Sequence, residues 1–165
     1  MLGATDVNAP RQHFGLTLVV NHACNLRCTY CYTGAKFSAP MPLEFGITAI
    51  MRAFRSLAPD GCLDLGFFGG EPLLEATRIH QWVAYARVWC ERTGQRLQLN
   101  LTTNGTITSG DAWAIMRAAD VDLAISFDAS PEIHNRHRRD AKGNPTAALV
   151  EETMRRLIDL SLIHI

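Results

Sequence analysis

The stretch Leu16-Thr17-Leu18-Val19-Val20-Asn21-His22-Ala23-Cys24-Asn25-Leu26-Arg27-Cys28-Thr29-Tyr30-Cys31-Tyr32 decides how this chain is read. Residues 16–21 form a short strand pattern, and a loop with the spacing C-x3-C-x2-C follows directly. Soft thiolates suit zinc and iron–sulfur clusters. A [4Fe–4S] centre that only passes electrons takes four cysteines. Three leave one iron open to bind a substrate or cofactor, and three ligands on one short loop need no long-range closure. Zinc and free structural thiols are the alternatives. A structural zinc wants a fourth protein ligand at matching spacing. His22 is too near on the loop, and Cys62 and Cys90 fall in a predicted strand and a predicted helix.

Outward from this loop, a strand–helix alternation repeats four times. Strands are predicted over 16–21, 62–68, 96–102 and 121–127. Helices are predicted over about 43–57, about 76–93, from Ser109 as a cap to about 118, and from Asn144-Pro145 onward with proline in the first helical position. Ile47, Ile50, Met51 and Phe54 follow the helical period in the first helix. Ile79, Trp82, Val83, Ala86 and Trp89 do so in the second, which stops at Gly94. Pro59-Asp60-Gly61 reads as a turn.

Repeated βα units imply a parallel sheet with helices outside it, and right-handed crossovers curl it toward a barrel. The expected fold class is therefore α/β, a partial parallel (β/α) barrel of four units. One strand face is apolar, with Leu16, Leu18, Val20, Leu63, Leu65, Phe67, Leu97, Leu99, Leu101, Val121, Leu123, Ile125 and Phe127. The other is polar and small, with Thr17, Asn21, Asp64, Gly66, Gln98, Asn100, Thr102, Asp122, Ser126 and Asp128. A filled barrel interior would be mostly Val, Ile and Leu. The polar face predicts a cavity for a polar ligand, because burying it empty is costly. An antiparallel sheet with one wet face is the alternative.

Each strand is followed by a motif at the end where βα barrels carry their chemistry. Gly69-Gly70-Glu71-Pro72 follows the second strand: the glycines let backbone approach a ligand, and the proline biases Glu71 toward an extended shape. By itself the run is a turn with a solvated charge. Thr102-Thr103-Asn104-Gly105 follows the third, with Asn104 as a turn residue or a pocket lining. Ser126-Phe127-Asp128 ends the fourth; alternation puts Ser126 and Asp128 on the polar face, where they can bind a ribose, and Asp128 can otherwise serve as a cap. His134-Asn135-Arg136-His137-Arg138 comes next. A guanidinium there suits a carboxylate, with Arg138 favoured and Arg139 as the competing register. His134 and His137 are read as surface polar residues rather than metal ligands.

Composition narrows the class. Among 165 residues, 47% are hydrophobic, which excludes disorder, and 16 basic residues balance 16 acidic ones. Nothing in that balance points to nucleic acid or an anionic membrane. The basic group Arg136, Arg138, Arg139 and Lys142 reads as a solvated loop. Five cysteines, three of them crowded together, do not make a secreted disulfide framework, and residues 1–13 lack a signal-peptide core. A reducing cytoplasm is the expected compartment.

The cysteine spacing, with aromatic Tyr30 before the third cysteine, resembles the signature of the radical S-adenosylmethionine (radical SAM) superfamily. The resemblance implies a [4Fe–4S] cluster on Cys24, Cys28 and Cys31, with SAM on the open iron. It implies that Gly69, Gly70 and Glu71 meet the SAM amino group and that Tyr30 packs near the adenine. It further implies that a polar residue at Ser126 or Asp128 meets the ribose, and that Arg138 meets the carboxylate, with Asn135 in place of the family's usual aspartate. One electron then cleaves SAM to a 5′-deoxyadenosyl radical that takes hydrogen from substrate. No residue is assigned as substrate acid or base.

Within the superfamily, the Cys-Asn-Leu-Arg-Cys, Phe-Phe-Gly-Gly-Glu-Pro-Leu and Thr-Asn-Gly-Thr runs most resemble peptide- and protein-modifying maturases such as anaerobic sulfatase-maturating enzymes. The implied partners are a peptide or protein substrate and an external one-electron donor of flavodoxin or ferredoxin type. A radical SAM activase or small-molecule enzyme is the rival enzyme reading, and a zinc or thiol-redox module the rival of another class. Many such maturases carry a cysteine-rich C-terminal SPASM domain, whose cysteines are not found here. The expected organisation is an N-terminal extension over 1–15, a radical SAM core over 16–159 that lacks the family's later barrel units, and a cloning or assembly scar over 160–165.

Overall fold

The computed structural model describes residues 9–108 and 110–160. Ser109, read as a helix cap, lies outside the described residues, as do 1–8 of the extension and 161–165 of the suspected scar. The elements run β1 (Arg11–Asn21), α1 (Leu43–Arg55), β2 (Leu57–Gly69), a 3-10 turn (Pro72–Glu75), α2 (Ala76–Thr93), β3 (Arg96–Thr103), α3 (Gly110–Met116), β4 (Val121–Ile125), α4 (Pro131–His137) and α5 (Ala147–Asp159). The strands form one sheet in the order β1-β2-β3-β4, and every neighbouring pair is parallel. The antiparallel alternative is thereby removed. The chain is the α/β partial barrel that the strand–helix alternation predicts.

Register keeps the apolar positions in phase. Leu18 faces Phe67, Leu65 faces Leu99, and Leu101 faces Leu123. Leu18, Val20, Leu63, Leu65, Phe67, Leu99 and Leu101 are buried under the helices. The helices return the pattern: α1 buries Ile50 and Phe54, and α2 buries Ile79, Trp82, Val83 and Ala86. Trp82 has no exposed surface, stacks on Phe67, and donates its Nε1–H to the Leu43 carbonyl at 2.9 Å. Truncating such a residue costs about 3–5 kcal/mol. Gly94, at φ 74°, ends α2 by donating to the Cys90 carbonyl. Among the described residues no helix is long and apolar enough to cross a membrane.

The structure departs from the expected elements in four places. Pro59-Asp60-Gly61 does not end a unit. Between the pairs Arg11↔Leu57 and His13↔Cys62 the second strand advances five residues while the first advances two, so the turn residues form a bulge inside β2. β4 stops at Ile125, so Ser126 and Asp128 come from the following loop rather than from strand alternation. α4 was not foreseen: Pro131 takes a first-turn position and the Ser130 side chain accepts from the Ile133 N–H. Pro145 does not sit in the first turn of α5. That helix begins at Ala147, and the Asn135 side chain accepts from the Thr146 and Ala147 N–H groups at 3.0 and 2.9 Å.

Candidate functional site

The loop after β1 is held by residues that its sequence places nearby. Asn21 is buried at the strand's end, and its Oδ1 accepts from Ala23 N and Ala39 N, both at 3.0 Å. One amide therefore clasps both ends of the cysteine loop, while its Nδ2 donates to Glu75 at 2.6 Å. On the other side, Arg27 N donates to Arg139 O, Thr29 N to His137 O, and Ala141 N to Asn25 O. The α4–α5 connection is thus laced to the cysteine loop by backbone hydrogen bonds.

The Gly69-Gly70-Glu71 run closes the third side. Gly70 N donates to Asn21 O and Glu71 N to Ala23 O, which extends the β1–β2 pairing beyond the strands. Gly69 sits at φ 152°, and a Cβ there would lie 2.2 Å from the Asn21 carbonyl oxygen. A Cβ on Gly70 would lie 2.3 Å from the Ala23 carbonyl oxygen. Both glycines are required by this close approach of backbone to backbone.

Glu71 turns inward. Its Oε1 accepts from Leu73 N at 2.9 Å and from the Thr103 hydroxyl at 2.7 Å, and its Oε2 accepts from Asn104 N at 2.8 Å. Burial pushes its carboxyl above the usual range, against the pull of those donors. Asn104 uses both amide hydrogens on the cysteine loop, one on Asn25 Oδ1 at 2.9 Å and one toward Cys24 Sγ at 3.9 Å.

Cys24, Cys28 and Cys31 are free and half-buried, and all three line one cavity of about 280 Å³ at the C-terminal ends of the strands. Tyr30, Gly69, Gly70, Glu71, Asn104, Ser126 and Arg138 line it too. Burial raises the Cys24 and Cys28 thiols. Burial also acts on Cys31, but Lys36 Nζ at 2.8 Å and Thr33 outweigh it and bring that thiol down to about 7. Asp128 stands at the rim. Its carboxylate accepts from the Tyr30 hydroxyl at 2.7 and 2.8 Å and from Arg138 Nε at 3.0 Å. Burial and the Asp128 bond push the Tyr30 phenol up to about 12. Arg138 also lies over the Tyr30 ring, 5.3 Å from its centroid. Arg139, the competing register, sends its guanidinium to the Gly143 carbonyl instead.

The structure therefore gathers every residue predicted for the site into the cavity or its rim. The polar sheet face does not make one cavity with it. Asp64, Gln98, Asn100 and Asp122 line a separate recess at the other end of the strands, where Asn100 Nδ2 donates to Asp64 at 2.5 Å. The reading of His134 as a surface residue is corrected: it is fully buried, bonded to Thr146 and stacked on Phe127. Sequence reasoning also missed Asn21 as the clasp of the loop. Its position directly before the cysteine run, at a strand end where a polar side chain can bond loop backbone, was the available signal.

The family model for the radical SAM superfamily matches residues 18–164. The chain is 25% identical over 147 residues to the serine-type anaerobic sulfatase-maturating enzyme of Klebsiella aerogenes, covering 87% of this chain and 36% of that protein. It is 28% identical over 147 residues to the cysteine-type enzyme of Clostridium perfringens, covering 82% of this chain and 39% of that protein. Among solved structures it is similar to native anSMEcpe with bound AdoMet and Kp18Cys peptide, with a TM-score of 0.78, 25% identity, and coverage of 93% of this chain and 42% of that one. The chain thus spans about two fifths of the length of these relatives.

Proposed function

The chain belongs to the radical SAM superfamily, and on that premise we propose that Cys24, Cys28 and Cys31 each hold one iron of a [4Fe–4S] cluster whose fourth iron takes SAM. The observation that carries this reading is the convergence of three free thiols, the Gly69–Glu71 run and Arg138 on one cavity. The donor set fits the group. Thiolates are the ligands such clusters use.

When bound, the cluster supplies the electron that cleaves SAM to a radical able to take hydrogen from a substrate. The protein's own residues bind, orient and exclude water. The Gly69 and Gly70 backbone and the remaining lone pair of Glu71 Oε2 receive the SAM ammonium. The Arg138 guanidinium, its Nε engaged by Asp128, presents its other donors to the SAM carboxylate. Ser126 and Asp128 take the ribose side and Tyr30 the adenine side. Asn104 acts one step back, by holding Asn25 and the Cys24 sulfur. Lys36 and Thr33 donate to the Cys31 sulfur, and such hydrogen bonds tune cluster potential.

The substrate we propose is a peptide or protein, supported by the names of the relatives and by the peptide in the similar structure. An external flavodoxin- or ferredoxin-type donor would supply the electron, in a cytoplasmic setting, with neither nucleic acid nor membrane as partner. Residues 16–159 serve as the core. The test is equilibrium dialysis of SAM against protein loaded anaerobically with iron and sulfide. Stoichiometric binding that depends on iron supports the reading, and binding indifferent to iron rejects it.

A further inference from the structure

His134 sits in α4 with no exposed surface. Its Nδ1 accepts from the Asp128 backbone N–H at 3.5 Å, and its Nε2 lies 3.1 Å from Thr146 Oγ1. The Thr146 hydroxyl hydrogen is already committed, at 2.5 Å, to the Arg138 carbonyl. A hydroxyl carries one hydrogen. Thr146 must therefore accept from His134, which places the ring proton on Nε2 and leaves Nδ1 bare. A single relay runs from Asp128 N–H through His134 and Thr146 to Arg138 C=O. Its two ends are the backbones of the residues whose side chains pair at the cavity, 3.0 Å apart.

We infer that His134, locked in its Nε2–H tautomer, is a positioning residue that holds Asp128 and Arg138 in register for SAM. This rests on the reading that Arg138 meets the SAM carboxylate. Nothing in the chemistry assigned to the cavity requires a buried imidazole behind it, yet one is there with both nitrogens engaged.

The relay is sensitive to protons. A second proton on the ring would set an Nδ1–H against the Asp128 N–H, donor against donor. The charged groups that act on the ring are Arg138 at the end of α4, Asp128 in the loop before α4, and Glu151 on α5. Burial, followed by Arg138, holds the imidazole below its usual range, against the opposite pull of Asp128 and Glu151. The neutral ring therefore persists through neutrality, and the relay fails only on acidification below the ordinary histidine range.

The experiment measures the SAM dissociation constant by equilibrium dialysis on iron-loaded protein, from about pH 5.5 to 7.5. Wild type should bind evenly near neutrality and weaken toward the acid end. His134→Phe and Thr146→Val should each weaken binding at pH 7 by about tenfold with iron content unchanged, the loss expected for one hydrogen bond. His134→Phe should also lose the acid weakening, and Thr146→Ser should restore wild-type affinity. Nitrogen-15 spectra of histidine-labelled wild type, which need no variant to fold, should show Nε2 protonated and Nδ1 bare. An Nδ1–H tautomer overturns the inference, as does unchanged affinity in both variants. If iron-loaded wild type binds no SAM, the reading of the cavity itself fails and takes this inference with it. If wild type binds and the variants bind equally, only the inference falls.

Discussion

Arg138 Nε lies 3.0 Å from Asp128 Oδ1, and both side chains are less than a fifth exposed, at 17% and 18%. The same carboxylate accepts from the Tyr30 hydroxyl, one residue before the last cysteine of the loop. The pair therefore ties the loop after β4 to the cysteine loop. It also fixes the Arg138 guanidinium, which lines the cavity.

Asp128→Asn keeps the shape and removes the charge, leaving a half-buried guanidinium without its partner. A charge-assisted bond of this kind contributes about 1.5–3 kcal/mol, and urea unfolding should register a loss of that order at neutral pH. Burial raises the Asp128 carboxyl, but the Tyr30 hydroxyl and Arg138 outweigh it and hold the group below its usual range. Its contribution is thus complete above the ordinary carboxyl range and is lost as pH falls through the depressed folded value. The gap between wild type and variant should close toward acid. A gap that stays constant with pH would show that the charge is idle.

Gly70→Ala forces a methyl group to within 2.3 Å of the Ala23 carbonyl, where only backbone can yield. Overpacking of this kind costs about 1–3 kcal/mol, and the strain falls on the residue before Cys24. Melting and iron retention should both drop. Gly15→Ala, which meets nothing within 4 Å, should stay within about 0.5 kcal/mol of wild type. Equal behaviour of the two variants would contradict the close packing of this run.

Asn21→Ala leaves the Ala23 and Ala39 N–H groups without their acceptor and Glu75 without the Asn21 donor. Ala23 and Glu75 are half-buried and Ala39 is exposed, so water offsets part of the loss and each bond contributes about 1 kcal/mol. Thermal unfolding should shift down, and amide exchange should quicken at Ala23 and Ala39 before it does in the sheet. Unaltered exchange at those two amides would remove Asn21 from its role as clasp.

Glu71→Gln is close to isosteric but not to equivalent bonding. Oε1 can still accept from Leu73 and Thr103, but the new NH2 faces the Asn104 N–H, donor against donor. The loss should be about 1–3 kcal/mol, read by urea unfolding. A neutral result would mean that the carboxylate is not pinned as described.

The fold was legible because the apolar strand residues keep a period of two and the helices a period of 3.6. Leu63, Leu65, Phe67 and Ile79, Trp82, Val83 all landed on the faces their spacing assigns. Glycine and proline were read less well, because the same residues make turns and bulges. Pro59-Asp60-Gly61 punctuates β2 without ending it, since β1 continues to pair on either side. The site was legible wherever a motif follows a strand end, as with Cys24 to Cys31 and Gly69 to Glu71. It was illegible where a polar residue serves another polar residue out of sight. Neither the period nor the spacing of His134 and Asn135 reveals that one links the Asp128 backbone to the Thr146 hydroxyl and the other caps α5.

Cys24, Cys28 and Cys31 are proposed to hold a cluster with one iron open to SAM. The most direct measurement is iron content with electron paramagnetic resonance of the reduced, anaerobically reconstituted protein, with and without SAM, beside Cys28→Ala. Reconstitution should give about four irons per chain, a reduced-cluster signal that changes when SAM is added, and loss of both in the variant. One zinc and no iron, a signal indifferent to SAM, or a variant that keeps its cluster and its SAM response would contradict this assignment.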